Sequence, residues 1–171
     1  MAKFNKKKLP SRHTSLGADR APHRSFYYAM GETEKDVAKP FVGVVPTWNE
    51  AAPCNIALMR QAQSAKKGVH DNSGTPREFC TITVTDGIAM GHEGMKASLI
   101  SREVIADSAE LTVRGHCYDA LVGIAGCDKS LPGLMMSMLR LNVPSVFIYG
   151  GSILPGKFNQ RIRIYEHQEP N

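Results

Sequence analysis

From residue 41 onward the hydrophobic positions alternate between two rhythms. The run Phe41-Val42-Gly43-Val44-Val45, stopped by Pro46, has the continuous apolar character of a buried strand. Leu58, Ala62, Ala65 and Val69 then recur at helical spacing, which predicts a helix over 55–69 that stops near Gly68. A β-rich run at 79–84 predicts the second strand. Residues 101–116 read as a helix, with Ser101 as its N-cap and Gly115 near its end. Residues 120–125 form a third apolar run. Pro132 opens a helix to residue 141, and residues 145–149 make a fourth strand. Strands alternating with helices predict an α/β domain, with helices on both faces of a parallel sheet.

The first forty residues follow neither rhythm. They form a basic arm, with a short helix predicted over 18–30 and closed by Gly31. Residues 1–24 carry seven Lys/Arg against one Asp; the remainder carries fourteen against fifteen acids. The net charge of +5 therefore belongs to one end of the chain. Lys6-Lys7-Lys8 is expected to be solvated, and the arm to wrap the domain or a neighbouring subunit. No aromatic-basic alternation accompanies it, so no nucleic-acid partner is expected. No apolar run of spanning length occurs, so no membrane partner is expected either. The basic start lacks an apolar segment and predicts no secretory leader.

The residues capable of chemistry follow the strands. Residues 47–55 contain Cys54, residues 85–94 contain Asp86, and residues 126–130 contain Cys127, Asp128 and Lys129; Gly150 and Gly151 follow the fourth strand. Loops at the carboxyl ends of parallel strands converge, which makes them the usual ligand site of such sheets. Thiolates suit soft metals and iron–sulfur clusters, whereas carboxylates suit Mg²⁺, so a soft and a hard centre are expected side by side. The glycines are expected to let a ligand approach the backbone. Cys54 is alternatively a small buried residue before a helix, whose N-terminus would lower its thiol pKa. Lys129 is alternatively an ordinary partner of Asp128 or another acid. Cys80, in the predicted second strand, and Cys117 read as packing residues, as do Met135, Met136, Met138 and Leu139. His92 and Glu93 read equally as acid–base groups, metal ligands or a hydrogen-bonded loop pair. Trp48 lines the pocket or caps the core. The cysteines form no C-x-x-C pair, and free thiols point to a reducing, cytoplasmic compartment.

The segments WNEAAPCN, TVTDGIAMGHEGM, SREVIADS, GCDKSLPG and RLNVPSVFIYGG closely resemble the dihydroxy-acid dehydratase family, which includes sugar-acid dehydratases. The resemblance runs from about residue 10 to 156. It implies the opening part of the family's α/β cofactor-binding domain, divided as arm 1–40, domain 41–156 and divergent tail 157–171. It also implies a homo-oligomer, dimer or dimer of dimers. Cys54 and Cys127 become ligands of a [2Fe–2S] cluster. Asp86, Asp128 and a carbamylated Lys129 become ligands of Mg²⁺. The implied reaction removes water from a 2,3-dihydroxy acid, giving a 2-keto acid, in branched-chain amino acid synthesis; a sugar acid is the alternative substrate, and a non-catalytic fragment the alternative role. The family's third cluster cysteine, a further Mg²⁺-binding glutamate and its catalytic serine lie downstream of the matched segments. The chain is therefore expected to be a truncated part of the enzyme, inactive by itself.

Overall fold

The structure, a computed structural model, describes residues 4–158 and 161–163. Its centre is a parallel sheet of β1 (Phe41–Pro46), β2 (Thr75–Glu78), β3 (Ala120–Ala125) and β4 (Ser145–Tyr149), in the order β2-β1-β3-β4. Short helices α1 (Arg12–Ser15), α2 (Ala21–Ala29) and α3 (Glu34–Val37) precede it. The longer connections are α4 (Leu58–Asp71), α5 (Asp86–Ala89) leading into α6 (Gly94–Gly115), and α7 (Ser130–Leu141). Strands β5 (Gly156–Phe158) and β6 (Arg161–Arg163) pair antiparallel apart from this sheet. Most of the divergent tail 157–171 lies outside the described residues. Among the described residues, no helix is long and apolar enough to cross a membrane.

Side-chain alternation along the strands builds two cores. Val44 and Ile124 face α4 and pack with Leu58 and Ala62. Val45, Leu121 and Ala125 face the other way, toward Ile105, Ala109 and Leu134 of α6 and α7. The parallel sheet therefore carries helices on both faces. Trp48 packs against the α4 core, which identifies it as a cap of that core. Met138 packs inward from α7, but Met135 and Leu139 are exposed, contrary to their reading as packing residues.

Three predicted boundaries are corrected. The second strand is Thr75–Glu78, not 79–84. Pro76 disguises it, yet β2 is an edge strand. Thr75 N–H bonds Pro40 O and Phe79 N–H bonds Val44 O, so the odd residues face β1 and the proline faces outward. Residues 79–84 run past the end of β1, where Pro46 stops the ladder; the last bond, from Thr81 N–H to Pro46 O, is 3.4 Å long. Cys80 is consequently exposed rather than packed in a strand. Helix α6 begins at Gly94, which places Ser101 inside it, buried, with its hydroxyl donating to Ser98 O. Helix α4 starts at Leu58, later than predicted, and passes through Gly68 to Asp71.

The arm packs on the amino-terminal end of the sheet. Residues 18–29 are helical and Gly31 adopts φ +88°, as expected of a closing glycine. Lys6 is not solvated as expected: its ammonium donates to Lys39 O and lies 3.9 Å from the Phe41 ring centroid. Burial, opposed by the nearby Asp119 charge, lowers its pKa to about 8.

Candidate cofactor site at the carboxyl ends of the strands

The strand order makes β1 and β3 neighbours whose connections leave in opposite directions, β1 toward α4 and β3 toward α7. Such a reversal opens a crevice between the two strand ends. Cys54 lies on the β1 exit and Cys127 on the β3 exit, and the Cys127 side chain stands beside that of Cys54 across the crevice. Cys127 is buried; Cys54 is half-buried. Gly126 permits the approach, because a Cβ there would stand 2.2 Å from the Cys54 carbonyl oxygen.

A buried polar knot fixes the Cys54 loop. Asn55 Nδ2 donates to Thr47 O, Thr47 Oγ1 and Thr83 Oγ1, at 2.5, 2.9 and 2.9 Å. Thr83 Oγ1 donates to Thr47 O, and Asn49 Nδ2 donates to Thr83 O. The loop after β1 is thereby tied to the segment after β2. Thr85, at the end of that segment, lies beside Cys54. Asn55 Oδ1 is buried and has no partner among the described residues.

Asp86 follows Thr85 and opens α5. Its Oδ2 accepts from Lys129 Nζ at 2.7 Å, and its Oδ1 accepts from Ser98 Oγ of α6. Asp128 lies within hydrogen-bonding reach of the same carboxyl group. Lys129 therefore pairs with Asp86 rather than with its neighbour Asp128. Ser130 fixes the turn that carries the triplet, accepting from Cys127 N–H and donating to Cys127 O.

The electrostatics separate a soft half from a hard half. Burial pushes the Cys54 thiol up to about 12, assisted by Cys127 beside it, so the helix-terminus reading with a lowered pKa is overturned. Burial also raises Asp86, but the hydrogen bonds from Lys129 and Ser98, with the Lys129 charge, outweigh it and hold the carboxyl below its ordinary range.

The donor chemistry fits both implied groups. Two neighbouring thiols, one buried and one half-buried, offer a soft donor pair suited to a soft cation. One or two carboxylates commonly suffice for Mg²⁺, which retains several waters. Among the described residues, no three His, Cys, Asp or Glu side chains converge as a complete metal-ligand set.

Other expectations fall differently. His92 Nδ1 accepts from Gly94 N–H and its Nε2 bonds Ile88 O, so the ring fastens the turn into α6. Glu93 pairs with Lys96 at the surface. Gly150 serves packing rather than ligand approach: a Cβ there would meet Leu58 Cδ2 at 2.1 Å, and its N–H and C=O are bonded to Ala125 and Gln61. Sequence reasoning missed Thr47, Asn49, Asn55, Thr83, Thr85 and Ser98. The alternation of Thr81, Thr83 and Thr85 held a signal for two of them, since it sets hydroxyls along one side of the segment.

Comparison with known proteins identifies the family. The family model described as dihydroxy-acid/6-phosphogluconate dehydratase N-terminal matches residues 39–169. Dihydroxy-acid dehydratase of Pelagibacter ubique is 92% identical over 158 residues, covering 92% of this chain and 28% of the relative. That of Parvibaculum lavamentivorans is 79% identical over 155 residues, covering 91% and 27%. That of Metallosphaera sedula is 57% identical over 145 residues, covering 85% and 26%. The chain thus spans a little over a quarter of the length of these relatives. The strand-end crevice, its thiol pair and the matched family model together place the chain in the dihydroxy-acid/6-phosphogluconate dehydratase family, within its N-terminal region.

Proposed function

We propose that this chain is the cofactor-binding part of a dihydroxy-acid dehydratase, a hydro-lyase converting a 2,3-dihydroxy acid to a 2-keto acid in branched-chain amino acid synthesis. The observation that carries the reading is the pairing of Lys129 with Asp86 beside the Cys54–Cys127 thiols, at one crevice. Cys54 and Cys127 would hold a [2Fe–2S] cluster; Asp86, Asp128 and Lys129 would hold Mg²⁺. When bound, these groups supply Lewis acidity toward the oxygens of the substrate. Lys129 as an ammonium cannot ligate a cation. Carbamylation replaces its positive charge with an oxygen donor while the short chain from α7 keeps it beside Asp86. The Asn55 knot holds the Cys54 turn against the end of β1 and the segment after β2.

A branched dihydroxy acid is favoured over a sugar acid because relatives at 57–92% identity carry the dihydroxy-acid name. The reading extends to a cytoplasmic homo-oligomer; exposed Leu99, Ile100, Val104 and Leu139 on α6 and α7 support a covering subunit. The test uses a full-length enzyme carrying this segment, with 2-keto acid formation measured from a branched dihydroxy acid and from gluconate. Lys129→Ala and Lys129→Arg should both abolish turnover, since guanidinium keeps its positive charge. Full turnover by the arginine variant contradicts the ligand role, and preference for gluconate reassigns the substrate.

A further inference from the structure

We propose that Ser98 is a positioning residue for the hard-cation site: its hydroxyl locks Oδ1 of Asp86, so that Oδ2 alone is presented to a divalent cation. This rests on the reading of Asp86 as a cation ligand.

Ser98 is fully buried on α6 and does not reach solvent. Hydroxyls inside helices ordinarily donate back to the carbonyl three or four residues earlier. Ser101, Thr112 and Ser137 all do so, to Ser98 O, Ser108 O and Leu134 O. Ser98 instead turns out of its helix to a carboxylate twelve residues away in sequence. Its other acceptor, Val84 O, is 3.4 Å distant and the weaker of the two. Both contacts lie on the short stretch between the Thr83 knot and α5, so one buried hydroxyl fastens α6 to the base of the Asp86 turn.

The consequence is a division of labour within one carboxylate. Oδ1 is occupied from the protein interior, while Oδ2 faces Lys129 Nζ at 2.7 Å. A cation reaching Asp86 meets one oxygen at a fixed angle. Without Ser98 the carboxylate is free to rotate about its Cβ–Cγ bond. Groups that orient a ligand from behind commonly change metal affinity by about 10–100-fold when removed.

The test is Mn²⁺ binding to the full chain in bicarbonate buffer, followed by electron paramagnetic resonance of free and bound Mn²⁺. Ser98→Ala should weaken binding about tenfold, with unchanged circular dichroism and an altered bound-Mn²⁺ spectrum. Ser98→Cys retains a weak donor of similar size and should fall between the two; it also serves if the alanine variant fails to fold. Asp86→Asn should abolish binding. Wild-type affinity in folded Ser98→Ala or Ser98→Cys, with binding lost in Asp86→Asn, overturns the positioning role alone. Equal binding by wild type and Asp86→Asn, or no saturable binding by wild type, overturns the ligand reading and this proposal with it.

Discussion

The two ends of the sheet each hold an aspartate removed from solvent, and they use it in opposite ways. At the amino-terminal end, Asp119 accepts from Ser11 N–H, Ser11 Oγ and Phe41 N–H. All three donors are buried and permanent, and they clamp the arm to the first residue of β1. At the carboxyl end, Asp86 is half-buried and one of its oxygens is held by Lys129, a residue with a flexible stem. A carboxylate saturated by fixed donors is a fastening. A carboxylate with one oxygen fixed and one answered by a movable cation is a site.

Breaking the fastening should have the largest effect on stability. Asp119→Ala strands three buried donors, each costing about 1–3 kcal/mol, so urea denaturation should show a loss of about 4 kcal/mol. A loss below about 1 kcal/mol would show that the arm is held by something else. Gly126→Ala comes next, because the new methyl would drive into the Cys54 carbonyl; a loss of about 2–3 kcal/mol is expected by the same measurement, together with weaker iron retention after reconstitution. Asp86→Asn should change stability by less than about 1 kcal/mol, since the pair it removes is partly solvated, while eliminating Mn²⁺ binding. A large stability loss there would make the two aspartates alike.

The smallest effect sharpens the comparison through pH. Lys6 has its pKa lowered to about 8 by burial, so the unfolded chain binds the proton more tightly than the folded one. Stability from this group therefore rises with pH between about 8 and 10.5 and is lowest below 8. Lys6→Met should flatten that rise and add about 0.5 kcal/mol at neutral pH, a figure reduced for the residue's partial exposure. A rise in stability over that interval that survives the substitution assigns it to other groups.

Legibility in the sequence followed the same division. The strands β1 and β3 announce themselves as apolar runs because both of their faces are covered; β4 is legible by its apolar run as well, although it is the other edge strand and leaves Val146 and Tyr149 exposed. Strand β2 does not, since its edge position admits Pro76 and charged residues, whereas the apolar run beside it serves as a threonine-rich strap. The candidate residues Cys54, Asp86, Cys127, Asp128 and Lys129 were legible because parallel strands deliver their exits to one edge. The residues that hold them were not. Asn55 resembles an ordinary loop asparagine and Ser98 an ordinary helix serine, and only their direction in space distinguishes them. Ser101 misled for a related reason: a serine before an apolar helical pattern fits an N-cap, but the helix had already begun at Gly94.

The most direct test of the central claim is iron and acid-labile sulfide analysis of a full-length enzyme carrying this segment after anaerobic reconstitution, read alongside the electron paramagnetic resonance of the reduced sample. The account predicts bound iron and sulfide that are lost in Cys54→Ser and in Cys127→Ser, and retained in Cys80→Ser and Cys117→Ser. Iron retained after loss of Cys54 or Cys127, or dependent on Cys80 or Cys117, would contradict the placement of the cluster between β1 and β3.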